Sequence, residues 1–192
     1  MITDRDIQIL NFLDKVRLAT KEQIHELFFN SVSDKVTYRR LNKLSEEDFI
    51  KRSYYNLGKN KNVYVYYLDK KPSKKLIKHD LYITDLIAYL IKLQYEIVEF
   101  EKSPVVGRVI PDAYIKIRKE GRSKNLLLEV QLSNNDCLSK YYNFKDEVLE
   151  NTNWNIMPRL LILSDLNIKR IDLIDIKTIY SDLDMKGLGE LL

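Results

Sequence analysis

The chain has 192 residues with 45% hydrophobic content, a length that fits one large domain or two small ones and a composition ordinary for a globular protein. No apolar run approaches the ~20 residues that span a bilayer. The start, Met-Ile-Thr-Asp-Arg-Asp, lacks the basic region and apolar core of a secretory signal. A single cysteine, Cys137, excludes an internal disulfide and a cysteine-rich zinc site, so a reducing, cytoplasmic setting without a membrane is expected. The net charge of +4 is uneven: residues 1–78 carry 17 Lys+Arg against 10 Asp+Glu, residues 79–192 carry 15 against 18, and residues 34–78 alone carry 13 against 5. That concentration predicts a polyanion-binding surface in the first part of the chain and something else downstream.

Thr3 and Asp4 offer N-caps for a helix over 4–14 with Ile7, Leu10 and Leu13 on one face. Thr20 and Gln23 have capping-box spacing and open a second helix running to Phe28. Ser33 or Asp34 caps a third, with Val36, Leu41 and Leu44 expected inward and Lys35, Thr37, Tyr38, Arg39, Arg40 and Lys43 outward. Residues 49–55 and 63–68 read as two strands around a polar turn at 58–62 that carries Lys59 and Lys61. Residues 70–77 are charged, proline-bearing and without periodicity, which predicts a linker between residues 1–69 and 78–192. A wide apolar band then predicts a helix over 78–94, followed by a strand over 95–101 with Glu99 and Glu101 on one face.

Residues 110–133 hold two apolar runs around a short charged connector with a glycine, which predicts a β-hairpin with a slack loop. Asp112 stands at the start of the first run, and Glu129 and Gln131 share a face at the end of the second. A carboxylate pair in so apolar a hairpin is a candidate metal site; the alternative is a structural pairing of Glu129 with Lys116 or Arg118 across the strands. A helix over 138–151, an apolar strand over 159–164, a short helix over 168–174 and a last strand over 178–180 complete the chain.

Three short helices followed by a basic-tipped hairpin, with the pattern Val36-Thr37-Tyr38-Arg39-Arg40-Leu41-Asn42-Lys43-Leu44 and then Phe49-Ile50-Lys51-Arg52, resemble a winged helix-turn-helix over residues 3–69. The resemblance implies a third helix in the major groove of double-stranded DNA. Lys35, Thr37, Tyr38, Arg39, Arg40 and Lys43 would lie on it, and Arg52, Lys59 and Lys61 on the wing. Winged domains also serve protein contacts, which is the alternative. Tyr38, Tyr54 and Tyr55, beside basic residues, are candidates for nucleic-acid contact.

The second half, in the order helix, three strands, helix, strand, with Pro111-Asp112 and then Glu129-Val130-Gln131, is similar to the PD-(D/E)xK nuclease superfamily. That resemblance implies Asp112 and Glu129 as ligands of Mg²⁺, with Glu101 as a further carboxylate. The family's lysine would fall at Gln131, and Lys140 from the next helix is its candidate replacement. Nearly the whole chain, with His79 leading the second half and Pro111-Asp112 followed by Glu129, also resembles the replication-relaxation family of plasmids, phages and conjugative elements. An α/β protein is therefore expected, DNA-binding and acting in replication, DNA relaxation or transfer, or transcriptional control. Its possible partners are a second copy or replication and relaxase proteins. Two alternatives stand: a Mg²⁺-dependent DNA endonuclease using Asp112 and Glu129, and a regulator whose second half binds a peptide, a small ligand or its own copy.

Overall fold

Thr3 starts the first helix, α1 (Asp4–Val16), by a capping box. Its hydroxyl accepts the Asp6 N–H at 3.4 Å while the Asp6 carboxylate accepts the Thr3 N–H at 2.7 Å. Thr20 and Gln23 repeat the device at α2 (Lys21–Phe28). A third helix, α3 (Asp34–Glu46), turns Leu41 and Leu44 into a core with Ile9, Leu13 and Ile24. This computed structural model describes residues 1–58, 61–167, 173 and 176–192. It is mixed α/β with two sheets, as expected.

The two strands predicted beyond α3 are β2 (Lys51–Asn56) and β3 (Asn62–Tyr67). A two-residue strand, β1 (Ala19–Thr20), adds to β3, so the first sheet has the antiparallel order β1-β3-β2. Two residues carry no period of their own, and this strand was not legible beforehand. The following helix, α4 (Ile77–Lys92), begins against the same core. Ile77 and Leu81 pack with Leu18, Tyr55, Val65 and Tyr67. Gln23 Nε2 donates to the Leu81 carbonyl at 3.2 Å and to the Asp85 carboxylate at 2.6 Å. By internal contacts the chain divides into Met1–Ala88 and Tyr89–Leu192, inside α4. Pro72, in the stretch read as a linker, accepts a hydrogen bond from the Tyr55 hydroxyl at 2.7 Å.

The second unit is built on a five-stranded sheet of order β4-β5-β6-β7-β8: β4 (Glu96–Lys102), β5 (Ala113–Lys119), β6 (Arg122–Val130), β7 (Arg159–Leu163) and β8 (Thr178–Ser181). Pairing is antiparallel from β4 to β6 and parallel from β6 to β8. Most of the connector expected as a slack loop is strand, with Lys119 opposite Arg122 and a two-residue turn between them. Glu120 and Gly121 have φ of 51° and 75° there, the geometry that suits the twist of a tight hairpin. Cross-strand hydrogen bonds extend the pairing through charged residues whose side chains can stay in water.

The helix expected over 138–151 is broken. A 3₁₀ turn (Ser139–Tyr141) precedes α5 (Phe144–Asn151), and Asn143 between them takes a left-handed φ of 62°, which a continuous helix does not accommodate. Phe144 and Val148 pack with Tyr114, Leu127, Leu160 and Ile162 of one sheet face. The helix expected over 168–174 falls outside the described residues except at residue 173. A four-residue α6 (Leu188–Leu191) follows β8.

Candidate nucleic-acid interface and carboxylate site

On α3 the inward face is Thr37, Leu41 and Leu44, one and two turns apart, and Val36 is only half-buried. Two residues expected outward are therefore corrected. Thr37 is fully buried and its hydroxyl meets His25 Nδ1 at 2.7 Å. Arg40 reaches back to α1, where its Nε donates to Asp6 Oδ1 at 2.7 Å and its Nη2 to Asp6 Oδ2 and to the Met1 carbonyl. The Asp6 side chain is 1% exposed, and a buried carboxylate needs such a partner. Burial would raise the Asp6 carboxyl, but the hydrogen bonds from Arg40 and Thr3 outweigh it and hold it at about 2. Sequence periodicity could not reveal that Arg40 is spent, because the acid that claims it lies 34 residues away.

Lys35, Tyr38, Arg39 and Lys43 are exposed on the outer side of α3. Arg39 and Lys43 also line an open cleft of about 750 Å³ together with Arg5 and the start of α1. Beside them is the hairpin. Arg52 is exposed, donates from Nη1 to Asn42 of α3, and lays its guanidinium 5.2 Å from the centroid of the Tyr64 ring. Tyr64 stands opposite Tyr54 across the strands, with ring centroids 5.1 Å apart. Tyr55, expected at the surface, points to the other face of β2 and is buried, since neighbours on a strand alternate. The exposed aromatic of β3 is Tyr64, which the alternation of residues 62–67 could have identified. Lys61 is exposed at the turn, and Lys59 lies outside the described residues.

In the second unit the hairpin register sets Ala113 opposite Leu128, which brings Asp112 and Glu129 to neighbouring positions on one face. Asp112 Oδ2 accepts the Val130 N–H at 2.7 Å, and the Asp112 N–H donates to the Leu128 carbonyl at 2.9 Å. Glu129 is 5% exposed. Its Oε1 accepts from the Tyr141 hydroxyl at 2.5 Å and lies 2.7 Å from Lys140 Nζ. Lys140 also donates to the Ile110 carbonyl at 2.8 Å. The 3₁₀ turn thus delivers both partners of Glu129 from adjacent residues. The expected alternative partners are not used: Arg118 is bonded to Glu96 through two contacts of 2.8 Å.

Burial, then the Asp112 charge, push the Glu129 carboxyl up to about 7, against the hydrogen bonds of Lys140 and Tyr141. Burial, then the Glu129 charge, also raise the Tyr141 hydroxyl and take the Cys137 thiol to about 11. Gln131, expected to orient a water, is occupied otherwise. Its Nε2 donates to the Ser133 carbonyl at 3.1 Å and to that of Asn135, and its Oε1 accepts from Cys137 Sγ at 2.9 Å. It fastens the loop after β6.

Glu101 shares the face of Asp112 and Glu129 but stands opposite Tyr114, further along the sheet, where it lines a cleft of about 570 Å³ with Glu99. Among the described residues no three His, Cys, Asp or Glu side chains come together as a metal site, so Glu101 does not complete the expected set. Asp112 and Glu129 remain a two-carboxylate arrangement, which is as many protein carboxylates as Mg²⁺ commonly takes beside phosphate oxygens and water. Among the described residues no helix is long and apolar enough to cross a membrane.

Residues 10–86 match the replication-relaxation family, a span that covers most of the first unit and ends inside α4. The family resemblance read from the sequence is borne out over that span. The chain matches no curated protein.

Proposed function

We propose, with the replication-relaxation match of residues 10–86 as premise, that the protein binds double-stranded DNA of a mobile element through a winged helix-turn-helix formed by its first unit. The observation that carries this is the exposed row Lys35, Tyr38, Arg39 and Lys43 on α3 next to the basic hairpin. In that reading α3 enters the major groove, Arg39 reads or neutralises at its centre, and Lys61 meets a phosphate from the wing. Replication, relaxation or transfer, and transcriptional control at an origin or promoter are the processes it would serve. Fluorescence anisotropy on duplex DNA over a salt series tests it. Arg39→Ala/Lys43→Ala should weaken binding at least about tenfold and reduce the salt slope by about two. An unchanged affinity and slope would remove α3 from the interface.

A second reading has its own observation, the contact of Glu129 with Lys140 beside Asp112. A nuclease-like second unit would hold Mg²⁺ on Asp112 and Glu129, and the metal would polarise a phosphate and its attacking water. Lys140 would supply the cation that Gln131 lacks, stabilising charge that develops on phosphorus. Tyr141 would position Glu129. Incubation of supercoiled plasmid with Mg²⁺ or Mn²⁺ tests this, with Asp112→Ala as control. Nicking that the variant abolishes supports an endonuclease; no nicking, or equal nicking by the variant, leaves the second unit as a DNA- or protein-contact domain.

A further inference from the structure

We infer that the outer face of the β2–β3 hairpin, with Tyr38 of α3, is a stacking platform for unpaired DNA bases, so that the protein prefers duplex DNA bearing a single-stranded segment. The inference rests on the DNA-binding reading above and narrows its ligand. Tyr54 is 60% exposed, Tyr38 43% and Tyr64 40%, and they share one side of the unit through Asn42 and Arg52. The opposite face of the same hairpin, with Tyr55, Val65 and Tyr67, packs into a core, and on the outer face Tyr66 is buried while Tyr54 and Tyr64 stay open. The exposed tyrosines are therefore not needed to close that core.

A cross-strand tyrosine pair can serve the hairpin alone. Three features exceed that role. The Tyr54 and Tyr64 rings meet at 57°, so neither covers the flat face of the other. Arg52 occupies a face of Tyr64 and is itself held by Asn42, so the group is positioned before any ligand arrives. The third aromatic, Tyr38, belongs to α3, and hydrogen bonds from Asn42 and then Arg52 lower its hydroxyl pKa. Exposed rings among cations offer base-stacking with backbone attraction. A paired base keeps its faces inside the duplex stack and shows only its edges. A stacking surface therefore selects unpaired DNA, while exposed Arg52 on that face and Lys61 at the turn suit its phosphates.

The test compares a blunt duplex with the same duplex carrying a single-stranded tail of about ten nucleotides, by anisotropy with the full chain. The parent protein should bind the tailed DNA about tenfold or more tightly than the blunt one. Tyr54→Ala/Tyr64→Ala should abolish that advantage and leave blunt-duplex affinity within about twofold, whereas Tyr54→Phe/Tyr64→Phe should retain it. Equal binding of tailed and blunt DNA by the parent protein overturns the stacking platform and leaves the DNA-binding reading standing. Equal loss on both substrates in the alanine variant also overturns it. Binding to neither substrate overturns the DNA-binding reading itself.

Discussion

Arg39 and Arg40 are adjacent in sequence and opposite in consequence, and substituting each separately is the sharpest check on the first unit. Arg40→Ala strands Asp6, whose side chain is 1% exposed and otherwise bonded to Thr3. The Asp6 carboxyl sits at about 2 instead of the ordinary 3.8. At about 1.4 kcal/mol per pH unit, that difference is worth about 2 kcal/mol of stability. Because the folded value is the lower one, this stability is fully present above pH ~4 and is lost as pH falls through about 2. Leaving a buried carboxylate without its cation costs about 3–5 kcal/mol in other proteins, so a loss of about 2–4 kcal/mol at pH 7 is expected. Urea unfolding followed by far-UV circular dichroism measures it. At pH 3 the deficit should narrow, since Asp6 in the variant can take up a proton while the parent still holds it ionised. Arg39→Ala should leave stability within about 0.5 kcal/mol and act on DNA affinity instead. A deficit for Arg40→Ala below about 0.5 kcal/mol, or one equal at pH 7 and pH 3, would refute the structural role of the pair.

Lys140→Met should push the Glu129 carboxyl above its present value of about 7. A raised carboxyl loses stability as pH increases, so the variant's deficit should be larger at pH 8 than at pH 5, with Glu129 followed by carboxyl NMR titration. Gly107 has φ of +57°, and a Cβ there would lie 1.7 Å from Glu147 Oε2, the carboxylate that accepts the Arg108 N–H at 3.1 Å and its Nε at 2.6 Å. Gly107→Ala should cost about 1–3 kcal/mol in a thermal melt, and combining it with Glu147→Ala should give less than the sum of the two losses. Phe144 is fully buried among Val109, Tyr114 and Leu127, so Phe144→Ala should cost about 3–5 kcal/mol; a loss under about 1 kcal/mol would show that α5 does not close this core.

Local chemistry was enough to determine much of this protein. Thr3 and Thr20, each three residues before a carboxylate or amide, set two helix starts because both halves of a capping box lie within one turn. The apolar runs around 113–119 and 122–130 determined a hairpin, and its period of two set Asp112 and Glu129 on one face. The basic concentration over 34–78 marked the candidate interface before any geometry was known. Long-range partners decided the rest. Whether Arg40 faces DNA or a buried acid depends on Asp6, which a different helix brings to it. Whether Tyr54 or Tyr55 meets solvent depends on which hairpin face Leu18, Ile77 and Leu81 cover. As the alternative to metal binding, Glu129 could have paired with Lys116 or Arg118 across the strands. It found Lys140 and Tyr141 because Asn143 breaks the helix there, leaving a 3₁₀ turn over the end of β6. Periodicity assigns a side chain to a face of its own element. Only the packing of distant elements decides whether that face meets a core, a counter-charge or water, and with it what the side chain is free to do.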